Sequence, residues 1–146
     1  MTPGSRSASP RQLWAGRIIS ALAVLFLLWD SVMKLMQPAV VLESMTRLGY
    51  PEGLAVGIGV LQLVCLAVYV FPRTSVLGAI LLTGYLGGAV ATHVRVGDPL
   101  FSHVLFPSYI GLLLWGGLFL RENRLRALIP LRSQGGSVDS AEPRSS

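Results

Sequence analysis

Two charged residues interrupt the first long apolar stretch of this 146-residue sequence, and their spacing suits an ion pair. Asp30 precedes Lys34 by four residues, which places both side chains on one face of a helix with the acid on the N-terminal side. A charge inside a membrane costs roughly 2.5 to 3.5 kcal/mol on insertion scales, so each of the two needs a partner. Two interpretations stay open: a structural pair that fixes a helix bundle, or a functional pair at a ligand.

A second group of ionisable residues follows a later apolar run. His93 and His103 could carry a proton or donate a hydrogen bond to a carbonyl, because imidazole titrates near neutrality. Two histidines without HExxH-like spacing are weak evidence for a metal, and we predict no metal site. Arg95 and Asp98 are candidate ligand-binding residues. Their alternative role is to pair with each other in a polar turn.

Composition indicates a membrane protein. Hydrophobic residues make up 52% of the chain and charged residues 13%, and the mean hydropathy is +0.61, well to the apolar side of globular proteins. The net charge of +5 does not indicate nucleic-acid binding, since the arginines stand at the ends of apolar runs without interleaved aromatic residues. Cys65 is the only cysteine, which excludes an internal disulfide and a CxxC redox pair.

The apolar runs predict the elements that position these residues. We predict an all-α membrane protein, a four-transmembrane-helix bundle, with spans at about residues 14–35, 53–71, 74–93 and 101–120. These spans form one domain, residues 13–132, between disordered tails at residues 1–12 and 133–146. Between the first two spans, residues 39–52 read as a short amphipathic helix on the membrane surface.

The distribution of cations predicts the orientation. Eight arginines fall on one side of the predicted membrane and three cations on the other, so the positive-inside rule places the N and C termini in the cytoplasm. The ionisable residues within the spans then converge at the outer leaflet. These residues are Asp30, Lys34, His93 and His103.

Small and polar residues inside the spans predict how the helices pack. The third span is rich in glycine and alanine, and such residues let helix backbones approach closely in a membrane. We therefore expect the GxxxG pairs Gly53/Gly57 and Gly84/Gly88 to pack within the bundle, with homo-oligomerisation as the alternative. Gln62, in the middle of the second span, needs a partner, and an interhelical hydrogen bond is the favoured one.

Four sequence elements together resemble the DoxX-like membrane proteins. They are Lys34 near the end of the first span, LGYP at 48–51, GAxxTHxRxGD at 88–98, and the basic RENRLR at 121–126. The resemblance runs from Leu13 to Leu131. It implies a four-helix bundle of bacterial inner membranes, and the broader DoxX group is similar to the small membrane subunit of a thiosulfate:quinone oxidoreductase.

Three hypotheses for function follow. The first is a membrane redox subunit with a quinone as the candidate cofactor and a redox protein as partner. In it Lys34 and His93 are catalytic, and the remaining four residues, Asp30, Arg95, Asp98 and His103, bind the ligand. The second is a non-catalytic membrane anchor or assembly protein. The third is a small-solute or proton transporter, which the nearly bare inner half of the spans disfavours.

Overall fold

The computed structural model describes residues 9–51, 53–123 and 125, and the ordered elements within them are all helical, which confirms the all-α prediction. Five α-helices and one π-helical turn follow each other along the chain. They are α1 (Pro10–Met36), α2 (Ala39–Arg47), α3 (Leu54–Val70), α4 (Ser75–Arg95), the π-helical turn (Leu100–Val104) and α5 (Phe106–Arg121). The predicted C-terminal tail lies outside the described residues.

Helix α1 begins four residues before the predicted span and includes residues 10–12 of the predicted tail. Its start is fixed by Ser9, whose side chain accepts a hydrogen bond from the Gln12 amide while the Gln12 side chain accepts one from the Ser9 amide. This reciprocal arrangement is a capping box, and Pro10 at the first helical position is pre-organised for the helix. The helix ends at Met36, and its C-cap residue Gln37 has a positive φ of 49° and precedes Pro38.

Three helical segments among the described residues are long and apolar enough to cross a membrane: Pro10–Met36, Ser75–Arg95 and Leu100–Arg121. The predicted second span corresponds to α3, which is apolar but only 17 residues long. At about 1.5 Å per residue it covers roughly 25 Å, near the lower limit for a span. The chain is thus a multi-pass membrane protein, while the sidedness of its two ends stays a prediction.

The four long helices form a ring in which each packs on two others. Helix α1 lies between α3 and α5, and α4 completes the ring between the same two neighbours. Tyr69 of α3 is fully buried at one end of the ring, where its hydroxyl donates to the Leu114 carbonyl (2.9 Å) and meets the Ser20 hydroxyl (3.2 Å). Helix α2 lies outside the ring, contacts α3 and has no fully buried residue.

The packing role predicted for the GxxxG pairs is wrong. A Cβ at Gly53, Gly57, Gly84 or Gly88 would meet nothing within 4 Å. Close backbone approach instead occurs at other glycines, and at Gly78 an added Cβ would overlap the backbone of Tyr69. The open glycines of α4 have a different consequence, because they leave space inside the ring.

Candidate functional site

A cavity of about 830 Å³ lies inside the helix ring, at the end where α2 lies across it. All five α-helices and the π-helical turn contribute to its wall, and Leu48 and Tyr50 of the following loop close one side. Gly84, Gly88 and Ala89 are the small residues of the α4 wall, which also includes larger side chains such as Tyr85 and His93. The structure brings four of the six predicted site residues to this main cavity: Asp30, Lys34, His93 and His103.

One polar network lies at the α1 side of the main cavity. Lys34 pairs with Asp30 one turn earlier on α1, as their spacing predicts, and the Lys34 side chain is only 13% exposed. The fully buried Gln62 of α3 joins them: its amide nitrogen donates to Asp30 Oδ2 (2.9 Å), and its oxygen accepts from Lys34 (3.4 Å). Tyr85 of α4 donates to the same Gln62 oxygen (2.7 Å). The network therefore ties three helices together.

The second polar group surrounds His93 at the end of α4. Its Nδ1 lies 2.6 Å from Asp98 Oδ2, and Asp98 also accepts from Arg47 at 3.0 Å. The hydrogen bond from His93 holds the pKa of the Asp98 carboxyl below its usual range. Burial opposes this shift and the charge of Arg47 adds to it. With Asp98 ionised, Nδ1 carries the proton, and Nε2 has no hydrogen-bond partner among the described residues.

His103 lies next to His93, and both line the main cavity. The two rings meet edge to face, with centroids 5.9 Å apart and planes at 60°. The Ser102 hydroxyl lies 2.8 Å from His103 Nδ1. The other ring nitrogen of His103 has no hydrogen-bond partner among the residues described. The π-helical turn that carries His103 precedes Pro107 of α5, and this irregular start brings the second histidine to the wall.

Arg95 and Asp98 do not pair with each other, contrary to the alternative raised by their spacing. Arg95 donates to the Leu48 carbonyl at 2.6 Å, and Asp98 is taken by His93 and Arg47. Neither residue lines the main cavity. Asp98 contacts His93 from outside the cavity, and Arg95 bonds the loop after α2.

The two most specific sequence elements are bonded to each other. Tyr50 of the LGYP segment donates to the Thr92 hydroxyl at 2.6 Å, since the Thr92 proton goes to the Gly88 carbonyl. Together with the Arg95 contact to Leu48, this bond straps the loop after α2 onto the end of α4. The residues between 48 and 51 and those between 92 and 98 thus form one structural unit.

Sequence reasoning missed several residues of the site. Gln62 was expected to be an interhelical hydrogen bonder, but its position at the junction of Asp30, Lys34 and Tyr85 was not foreseen. Arg47 carried no local signal beyond its residue type, and Tyr50 stood out only as part of the LGYP segment. Of the described residues, no group of three histidine, cysteine or acidic side chains could hold a metal ion.

Comparison with known families gives one finding that covers most of the chain. The model of a family described as DoxX-like matches residues 18–117. This match includes the main cavity, both polar groups and the loop strapped to α4. Comparison with curated proteins and with solved structures returns no match.

Proposed function

The chain belongs to the DoxX-like family, and we propose that it is a membrane subunit of a quinone-linked redox system that binds a quinone-type ring in the main cavity. The observation that carries this proposal is the placement of His93. Its ring lines the cavity while Asp98 holds its Nδ1 from behind, which directs the chemistry of the other nitrogen to a ligand. This role implies a location in the bacterial inner membrane.

The shape and lining of the cavity fit such a ring. Its volume of about 830 Å³ falls within the range of roughly 300 to 1,000 Å³ of small-molecule sites. The walls are largely apolar, and the polar groups of the lining include two clusters, Asp30 and Lys34 on α1 and His93 with His103 at the end of α4. Gly84 and Gly88 present bare backbone on one wall. A flat ring with oxygen atoms at its edge suits that combination.

His93 would hold and transfer a proton at one oxygen of the quinone ring. Its Nε2 accepts a proton from a hydroxyl, and once protonated it donates a hydrogen bond to a carbonyl oxygen. Asp98 keeps the ring in one tautomer and stabilises the imidazolium that forms. A bound quinone supplies two-electron, two-proton redox chemistry.

Lys34 would provide positive charge at the same site. Its ammonium has three N–H groups, of which Asp30 and Gln62 accept two. The third can donate to an oxygen that carries negative charge. Asp30 and His103 complete the ligand-binding set, and Arg95 acts only through the loop that it holds. Electrons would come from a partner protein, since the chain has a single cysteine and no dithiol couple.

The test is to measure the quinone that co-purifies with the protein in mild detergent, by mass spectrometry of its organic extract. We would compare wild type with His93→Gln, Lys34→Met and Gly88→Leu. Gly87→Leu is the matched control, because Gly87 is also an open glycine of α4 but does not line the cavity. Circular dichroism would establish equal folding before the comparison.

We expect quinone in wild type and Gly87→Leu, and at least about tenfold less in His93→Gln and Gly88→Leu, the effect of losing one charge-assisted hydrogen bond or the space for the ring. Quinone retained by Gly88→Leu would show that any quinone lies elsewhere. Absence of quinone from every sample would contradict the proposal and favour the second candidate.

That second candidate is a non-catalytic anchor or assembly protein, and the strap between the two sequence elements favours it. Thr92, Arg95 and Tyr50 all use their polar groups to hold the loop after α2 on α4. Such bonds serve structure whether or not a ligand binds. For an anchor, His93→Gln at matched folding would leave function in the cell unchanged.

A further inference from the structure

A second, smaller cavity lies at the opposite end of the helix ring. It has a volume of about 210 Å³, and two arginines, Arg17 of α1 and Arg121 of α5, contribute to its wall. Tyr69 and Ser20 form its polar floor, and the rest of its lining is aliphatic. None of these residues lines the main cavity, so this arginine cavity is independent of the proposed quinone site.

The guanidinium of Arg121 makes one aromatic contact but has buried nitrogen atoms without a hydrogen-bond partner among the described residues. Its Cζ lies 5.2 Å from the centre of the Tyr69 ring, a cation–π contact that occupies one face of the guanidinium. Its Nε and Nη2 are buried and have no hydrogen-bond partner among the described residues. Buried donors of a charged group are rarely left unpaired, so this edge of Arg121 indicates a missing acceptor.

Arg17 lies at the same level of the bundle. Helices α1 and α5 approach closely here, and a Cβ at Gly16 would lie 3.1 Å from the Arg121 amide nitrogen. None of the ion pairs found within residues 9–51 and 53–123 involves either arginine. Two cations therefore share a small cavity whose described lining contains no acidic residue. An anion placed between them would relieve their repulsion.

The geometry points to a phosphodiester as that anion, and we propose that the arginine cavity binds the headgroup of an anionic phospholipid. The Nε and Nη2 edge of an arginine presents two parallel N–H groups, which match two oxygens of a phosphate. Arg121 is the last residue of α5 and Arg17 lies about two turns after the start of α1, so both are near the ends of apolar helices, where lipid headgroups are expected. The aliphatic part of the lining includes Ala21 and Val70, which are exposed on the bundle surface, and suits an acyl chain.

The test is native mass spectrometry of the full chain with equal amounts of phosphatidylglycerol and phosphatidylcholine that carry the same acyl chains. The variants are Arg121→Gln, Arg121→Lys and Arg17→Gln. Arg73→Gln is the matched control, because it removes the same charge from an exposed residue at the same end of the bundle that lines neither cavity. A parallel series contains inorganic phosphate in millimolar excess.

We expect wild type and Arg73→Gln to prefer phosphatidylglycerol equally, and Arg121→Gln to reduce that preference about tenfold. Arg17→Gln reduces it severalfold. Arg121→Lys keeps the charge but loses the paired N–H edge, so it recovers only part of the preference and also serves if the glutamine variant does not fold.

Three results would overturn the proposal. An equal loss in Arg73→Gln would show a general effect of positive charge, and full recovery in Arg121→Lys would exclude recognition by the paired N–H groups. Displacement of phosphatidylglycerol by inorganic phosphate would show that the site takes free phosphate rather than a lipid headgroup. Retained lipid in the phosphate series, with loss in the two arginine variants, supports the lipid.

Discussion

The two halves of α4, residues 75–83 and 84–95, both contain glycine and alanine but have different surroundings. In the first half Gly78 is buried where α4 touches α3, and its neighbours Ser75, Ala79 and Leu82 are buried with it. In the second half only Leu86 is fully buried, and the glycines face open space. The buried residues of the first half therefore form a contact surface, whereas Gly84 and Gly88 of the second half line the cavity.

This contrast shows that a small residue in a membrane helix can serve two purposes. It can let a neighbouring backbone approach, as at Gly78, or it can leave open space in a cavity wall, as at Gly88. The residue type is the same in both cases. Only the neighbour on the facing helix distinguishes them.

The largest expected effect is the difference between adding a methyl group to the first half of α4 and adding one to the second half. Gly78→Ala places a Cβ on the Tyr69 backbone, which cannot move without displacing α3, so we expect a loss of about 3 kcal/mol or more in the free energy of unfolding. Gly84→Ala meets nothing and should change it by less than about 0.5 kcal/mol. Equilibrium unfolding in detergent, followed by circular dichroism, measures both. Equal losses in the two variants would contradict the division of α4 into two halves.

An intermediate effect is expected at Gln62 of α3, which is bonded to the second half of α4 through Tyr85. Gln62→Leu removes four interhelical hydrogen bonds from a fully buried position. Such bonds average about 0.6 kcal/mol each in membranes, so the expected loss in the free energy of unfolding is about 2 kcal/mol. The same unfolding measurement applies, with Val60→Leu on the lipid-facing side of α3 as the control. A loss no larger than the control's would show that the network contributes nothing to stability.

The smallest effect concerns acid stability at the cavity end. Because the folded-state pKa of Asp98 is lowered, its contribution to stability is present above the unfolded pKa of about 4 and is lost as the pH falls through the folded value. We expect the melting temperature of wild type to fall more steeply below about pH 4 than that of Asp98→Asn. Glu43→Gln, which changes an exposed carboxylate on α2, should follow the wild-type profile. Identical profiles for wild type and Asp98→Asn would show that the contact with His93 does not stabilise the fold.

The sequence by itself determined the features that depend on local order along the chain. The apolar runs identified the membrane helices, the predicted end of the first span near residue 35 agrees with the end of α1 at Met36, and the i, i+4 spacing of Asp30 and Lys34 predicted their pair. The helix after Pro38 was predicted from its amphipathic pattern and is α2. Each of these features is set by neighbours a few residues apart.

The tertiary structure alone decided which side chains face one another. Arg95 could have paired with the nearby Asp98, yet it reaches Leu48, 47 residues away in the chain. Gly84 and Gly88 could have packed against a helix, yet they line a cavity. The physical reason is that a membrane helix is apolar on its lipid-facing and inward-facing sides alike, so its sequence carries little periodic signal of how it is rotated about its axis. That rotation is fixed only when the four helices pack together.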